Sequence, residues 1–252
     1  MGALHEGHAS LVRAAAQQCP GRVAVSIFVN PTQFGPNEDY ARYPRSFKED
    51  CALADREGAS VIFAPAVEEM YPAGAATFVE VEGLSERLDG KSRPGHFRGV
   101  ATVVVKLLIA AEPDLAFFGQ KDAAQVAVLR KLIADFRLAT RLVVCPIVRE
   151  PDGLAMSSRN AYLTAEERKQ ALVLSQAVRR VQELSAANER DSALLIQAAA
   201  RIFAEEPGVR VDYVELVNWE TLLPVNTAAP GTLFAVAARV GNTRLIDNAV
   251  LS

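Results

Sequence analysis

Between residues 21 and 148 the chain alternates between two kinds of segment, and this alternation constrains the fold more than anything else in it. Residues 23–29, 60–64, 114–118 and 142–148 are nearly unbroken apolar runs rich in β-branched and aromatic side chains, as expected of strands covered on both faces. Residues 77–81 form a weaker fifth candidate. Between them, residues 11–19, 47–57, 99–111 and 123–136 carry apolar side chains every three or four positions, which is the spacing of crossover helices. Strand and helix in alternation predict an α/β fold built on a parallel sheet.

After residue 148 the pattern changes. A loop over 149–160 leads to Thr164, Ala165, Glu166 and Glu167, a capping box that opens a helix with Leu174, Val178 and Val181 on its apolar stripe. A second helix is expected over 192–205. Pro207 and Gly208 then break the chain before strand candidates at 209–217, 232–240 and 243–246, the last two joined by Gly241 and Asn242. The expected organisation is therefore an α/β domain over 1–147 followed by a smaller α+β domain over 148–252.

Composition excludes several classes of protein. Of 252 residues 50% are apolar and 23% charged, a balance that favours a folded chain over a disordered one. The formal net charge is −3 with no run of either sign, so nothing marks a nucleic-acid or anionic-membrane surface. The three cysteines, Cys19, Cys51 and Cys145, are too scattered for a disulfide framework or a metal motif and are read as reduced, buried thiols. The most apolar stretch, 100–111, is interrupted by Lys106 and falls short of the roughly 20 residues needed to span a bilayer. The first residues show neither a basic nor an apolar targeting region, which leaves a cytoplasmic address by default.

Four segments carry possible chemistry. His5, Glu6, Gly7 and His8 stand just before a helical stretch. There a glycine permits close approach of a ligand, and the free amides at the helix start attract phosphate. The two histidines lie three apart across a glycine, which does not match the four-residue spacing of a zinc-protease helix. Taken alone, the pattern equally suits a plain helix start. Met156, Ser157, Ser158, Arg159 and Asn160 bring two hydroxyls and a guanidinium to the loop where the pattern changes. Gly119, Gln120, Lys121 and Asp122 occupy the end of a buried strand, where open α/β sheets bind ligands. Residues 26–43 leave a strand as a long loop able to close over a substrate; Gln33 in it, and Gln125 further on, offer neutral amides to hydroxyls or carboxylates. All three histidines, including His96, fall in expected loop or turn positions near these segments.

Together these segments resemble the pantothenate synthetases, the pantoate:β-alanine ligase family. The resemblance rests on MGALHEGH, SIFVNPTQF, RPGHFRGV, FFGQKD and VREPDGLAMSSRNAYL in that order, with VDYVEL and TRLIDN following. The HxGH and MSSR segments also resemble the two signatures of the wider nucleotidyltransferase superfamily. The resemblance implies a Rossmann-like ATP domain, a smaller domain that closes over the active site, and a homodimer. It also implies ATP-dependent joining of pantoate and β-alanine through pantoyl adenylate, with His8 as proton donor. His5, Lys121, Ser157, Ser158 and Arg159 would be the other catalytic groups. ATP would meet Met1, Gly2, Ala3, Leu4, His5, Glu6, Gly7 and His8, then Gly119, Gln120, Lys121 and Asp122, then Val148, Met156, Ser157, Ser158 and Arg159. Pantoate would be held by Gln33 and Gln125. Mg²⁺ would accompany the triphosphate, with Glu49 and Asp50 as candidate ligands.

Two departures stand out: Gln120 replaces the family's usual glutamate, and Ala123 an aromatic residue. The family also carries about 30 further residues at the start, among them a first strand whose burial would contribute roughly 1.5–3 kcal/mol per large apolar side chain. On the residues alone two other readings stay open, a transferase that leaves the nucleotide on its product and a nucleotide-dependent sensor.

Overall fold

The first helix begins earlier than its apolar periodicity suggests. In a computed structural model, which describes residues 2–36 and 38–252, α1 runs over Glu6–Gln18 with His5 as its N-cap. Histidine is not among the usual capping residues, so the start is invisible to a search for Ser, Thr, Asp or Asn. There follow β1 (Ala24–Ser26), a 3₁₀ turn at Pro31–Gln33, α2 (Phe47–Arg56), β2 (Val61–Phe63) and two single-turn helices, α3 (Val67–Met70) and α4 (Asp89–Ser92). Then come α5 (His96–Ala111), β3 (Leu115–Gly119), a 3₁₀ turn at Gln120–Asp122, α6 (Ala123–Asp135) and β4 (Arg141–Cys145). The remainder comprises a 3₁₀ turn at Ser158–Tyr162, α7 (Ala165–Ala186), α8 (Ser192–Ala204), β5 (Val209–Asn218), β6 (Thr232–Val240) and β7 (Thr243–Val250).

By contact density the chain forms two units. One comprises Met1–Gly119 with Val128–Pro146, the other Gln120–Ala127 with Ile147–Ser252. The short segment at the start of α6 thus belongs with the C-terminal residues, whereas a linear division at 147/148 leaves it with the N-terminal ones.

In the first unit β1 pairs with β2 and β3 with β4, both in parallel register. Val12 and Ala15 of α1, Val25 of β1 and Ala54 of α2 form one buried cluster, with Ile62 and Phe117 packed against it. Residues 77–81 form no strand. Thr102 of α5 instead takes up the backbone there, accepting from the Val79 N–H at 2.9 Å, while Ser85 Oγ accepts from Val81. Side chains have replaced the ladder, although the composition is β-branched.

In the second unit β5, β6 and β7 form an antiparallel sheet. Leu174 and Val178 of α7, Leu195 and Phe203 of α8, and Leu216, Phe234 and Val236 of the sheet share one core. Each large side chain so buried contributes roughly 1.5–3 kcal/mol. The expected capping box is present: Thr164 Oγ1 accepts from the Glu167 N–H and the Glu167 carboxylate accepts from the Thr164 N–H. Gly241, at φ +54°, and Asn242 make the tight turn between β6 and β7. The three cysteines are free, but only Cys145 is buried; Cys19, the C-cap of α1, and Cys51, in the middle of α2, are half-buried. Among the described residues no helix is long and apolar enough to cross a membrane.

Candidate functional site

The first unit presents the histidine pair. His5 Nδ1 accepts the Gly7 N–H at 3.1 Å and His8 Nδ1 accepts the His5 N–H at 3.3 Å, closing a reciprocal cap on α1. An Nδ1 that accepts a hydrogen bond carries no proton, so each ring holds its proton on Nε2. The cap therefore settles the tautomer of both rings, which lie with centroids 4.1 Å apart. Glu6, Gly7 and His8 are in the helix itself, which corrects the expectation of a glycine turn ahead of it. The helix macrodipole adds positive potential at the same point.

A carboxylate holds the approach to this cap. Asp50, buried in α2, accepts the Ala3 N–H at 2.9 Å on Oδ2 and the Leu4 N–H at 2.7 Å on Oδ1, and Ser46 Oγ donates to Oδ1 at 2.9 Å. Ala3 sits at φ +49°, a left-handed conformation that costs a residue with a Cβ roughly 1–2 kcal/mol. The two charge-assisted bonds offset that cost. Gly2 completes the turn, because a Cβ there would stand 2.9 Å from Val29 Cγ2. Met1 lies outside the described residues.

Gln33 ends the Pro31–Gln33 turn, which Asn30 builds. The Asn30 side chain donates to Gln33 Oε1 at 3.2 Å and to the Gly99 carbonyl at 3.1 Å, and accepts from Tyr71 Oη at 2.8 Å. Gly99 is required, since a Cβ there would overlap the Thr32 carbonyl. The Gln33 carbonyl is held in turn by Arg93 Nη2 at 3.2 Å and His96 Nδ1 at 2.8 Å, and Arg93 also forks Glu38 at 2.7 and 2.6 Å. His96 therefore donates from Nδ1 and accepts from Arg93 on Nε2, at 2.9 Å. Beside this network lies a cavity of about 200 Å³ lined by Gln33, Phe34, Phe78, His96 and Arg98 among others.

Burial, with the charge of Arg93 adding to it, pushes His96 down from 6.5 to about 4. Glu38 is opposed by burial too, yet hydrogen bonds and charge from Arg93 hold its carboxyl below the usual range. Between pH 4 and 6.5 the unfolded chain binds a proton at His96 that the folded chain refuses, so stability rises with pH across that window. The contribution, on the order of 3 kcal/mol, is complete above about pH 6.5 and lost as pH falls to about 4. Melting midpoints from pH 4 to 7 should show this slope in the wild type and a shallower one in His96→Asn; equal slopes would remove His96 as the cause.

The second unit presents the other segments. Lys121, in the Gln120–Asp122 turn, keeps 22% of its side chain exposed, with its ammonium 3.7 Å from Asp122 Oδ1. Gln125 follows, half-buried, in the first turn of α6. Val148 accepts the Met156 N–H at 2.9 Å, and Arg149 bridges Ala155, so residues 148–156 form a small hairpin turning at Gly153. Glu150 accepts from Asn160 Nδ2 at 2.6 Å and from Arg168 Nη2 at 2.6 Å, tying the hairpin to α7. Ser157 caps the Ser158–Tyr162 turn by accepting from the Arg159 N–H at 3.3 Å.

The structure thus groups His5, His8 and Gln33 in one unit. Lys121, Gln125, Val148, Met156, Ser157, Ser158 and Arg159 fall in the other, and Gly119 is the last residue of the first stretch. Sequence reasoning gave no role to Asn30 or Arg149, and named Asp50 only as a candidate Mg²⁺ ligand and Asn160 only as part of the 156–160 segment, whereas all four act on backbone or on other side chains. Neither carboxylate considered for Mg²⁺ fits that task. Glu49 is exposed on α2, and Asp50 is committed to backbone amides. Among the described residues no three His, Cys, Asp or Glu side chains gather to hold a metal ion.

A parallel-stranded, Rossmann-like unit with the HxGH start, followed by a small antiparallel-sheet unit, defines a nucleotidyltransferase-like enzyme. The family model described as pantoate-beta-alanine ligase matches residues 1–250, and the chain belongs to that family. It is 63% identical over 251 residues to the pantothenate synthetase of Acidobacterium capsulatum, covering 100% of this chain and 84% of that protein. Identity to the Koribacter versatilis pantothenate synthetase is 59%, covering 86% of that protein. The crystal structure of pantothenate synthetase from Thermus thermophilus superposes with a TM-score of 0.96 at 46% identity, over 99% of this chain and 90% of that one. A Francisella tularensis pantoate-beta-alanine ligase complexed with beta-gamma ATP and beta-alanine gives a TM-score of 0.79 at 34% identity, over 99% and 87%. The family match starts at residue 1 and lends no support to the expectation of an absent leading segment.

Proposed function

We propose that this chain condenses pantoate with β-alanine at the expense of ATP, giving pantothenate, AMP and pyrophosphate. The family match over residues 1–250 carries this reading. The pantoate carboxylate attacks the α-phosphorus, the bond to the leaving pyrophosphate breaks, and pantoyl adenylate forms. The β-alanine amine then attacks the acyl carbon, loses a proton and expels AMP. No enzyme nucleophile is needed, so the chain's work is positioning and stabilising charge.

In this reading Gly2 to His8, with Met1, take the phosphates of ATP together with Gly119, Gln120, Lys121, Asp122, Val148, Met156, Ser157, Ser158 and Arg159. His8, proposed from the resemblance as the proton donor, acts in this form as a hydrogen-bond donor: the neutral ring set by the cap keeps its proton on Nε2 and offers Nε2–H to the phosphate oxygens. His5, Lys121, Ser157, Ser158 and Arg159 face charge that builds on the phosphate oxygens. Mg²⁺ enters with the nucleotide as its magnesium complex and is neutralised largely by phosphate oxygens. The chain works as a cytoplasmic homodimer, with no nucleic-acid or membrane partner.

Following AMP formation tests the reaction. AMP that requires both pantoate and β-alanine supports the ligase; a stable adenylated product, or nucleotide binding without turnover, would replace it by a transferase or a sensor. Gln33 and Gln125 are assigned to pantoate. Replacing either by alanine should weaken pantoate binding by about 0.5–1.5 kcal/mol, the worth of a neutral hydrogen bond, and leave ATP binding nearly unchanged. Titrations in which ATP suffers as much as pantoate would undo that assignment.

A further inference from the structure

We propose that Asp247 and Asn248, neighbours on β7, position both chemical segments of the second unit, and that Asn248 acts on turnover through Lys121. The inference rests on the role given to Lys121 above. Asn248 is 3% exposed, and its Nδ2 donates to two consecutive carbonyls, Gln120 O at 3.1 Å and Lys121 O at 2.9 Å. Its Oδ1 accepts from Gln120 Nε2 at 3.2 Å. The carbonyls demand the NH₂ on their side, so the oxygen must face Gln120, and Gln120 supplies a donor where a glutamate would not. Asp247, 1% exposed at its side chain, accepts both arms of Arg149, at 2.7 and 2.9 Å. Arg149 also donates to the Gly153 carbonyl at 3.0 Å, which closes the hairpin that delivers Met156 to Arg159.

Successive residues of a strand face opposite ways, which lets one dipeptide serve two separate loops. β7 in fact lies against both the Gln120–Asp122 and the Ser158–Tyr162 turns. A strand-to-helix turn needs no partner 127 residues away to form. Fixing the Lys121 carbonyl does fix where its side chain starts, and a displacement of about 1 Å at a reacting group can cost on the order of 100-fold in rate.

The test is a double-mutant cycle on the full chain, with kcat, KM for ATP and for pantoate, and the melting midpoint measured for Asn248→Ala, Lys121→Ala and the pair. Asn248→Ala is expected to lower kcat by about tenfold or more and to leave KM for pantoate within about twofold. In the Lys121→Ala background it should cost almost nothing further. Losses that multiply, or an unchanged kcat in Asn248→Ala, overturn the proposal. Full activity in Lys121→Ala overturns the role of Lys121 itself and with it the route assigned to Asn248, a result distinct from the first two. Should Asn248→Ala fail to fold, Asn248→Ser is carried through the same cycle. Its hydroxyl donates to only one carbonyl, so a reduced kcat that vanishes as a difference in the Lys121→Ala background supports the proposal, and a wild-type kcat overturns it.

Discussion

Turnover in His8→Ala and in Lys121→Ala is expected to fall by about 100-fold or more, because on the proposed reading each removes a donor aimed at charge that develops in the transition state. The two variants should differ in stability. His8 Nδ1 accepts the His5 N–H, so its loss also opens the cap of α1 and costs about 1 kcal/mol. Lys121 is partly exposed and pairs only loosely with Asp122, so its loss should barely move the melting midpoint. His8→Asn separates the two effects, since an amide oxygen can accept the His5 N–H but offers nothing at the place of Nε2–H. Restored stability with turnover still low is the expected result. Near-wild-type turnover in any of the three would contradict the role given to that side chain.

Asp50→Ala is expected to impair stability and rate together. It strands the amides of Ala3 and Leu4, each bonded to the carboxylate in the wild type, at about 1–3 kcal/mol per unsatisfied group. It also frees Ala3 to leave its left-handed conformation, and the segment that leads to His5 and His8 loses its anchor. Asp50→Asn keeps the volume but only one acceptor oxygen, so it should fall between the wild type and alanine. Melting curves and kcat for both variants check this. A stable Asp50→Ala with full turnover would mean that the carboxylate does not hold the histidine pair.

How far the chain could be read beforehand depends on the range of the interaction. Strand and helix signals are local, and the α/β part, the Thr164 capping box and the Gly241 turn were all legible. Residues 77–81 misled because β-branched composition marks a segment able to pair, whereas here Thr102 and Ser85 occupy its amides. The segments proposed to carry the chemistry were noticeable because each is a short run with its own pattern. The residues that hold them were not. Asp50 acts on amides 46 and 47 residues away, and Asn248 on carbonyls 127 and 128 away. The only trace of Asp50 is a carboxylate four residues before Ala54 on the buried side of α2. Such a trace says that something polar is satisfied there, and not by what.

The chain passes between its two units at Gly119/Gln120, at Ala127/Val128 and at Pro146/Ile147. A gene fragment encoding only residues 148–252 is therefore not the smaller unit, because it lacks the eight-residue stretch that Asn248 and Trp219 grip through the carbonyls of Gln120, Lys121 and Ala123. The two parts could not have been joined, or be exchanged between relatives, by a single cut and splice. Any recombination that respects both must carry the loop after β3 along with the tail of the chain, so lysine and its distant asparagine are inherited as one block.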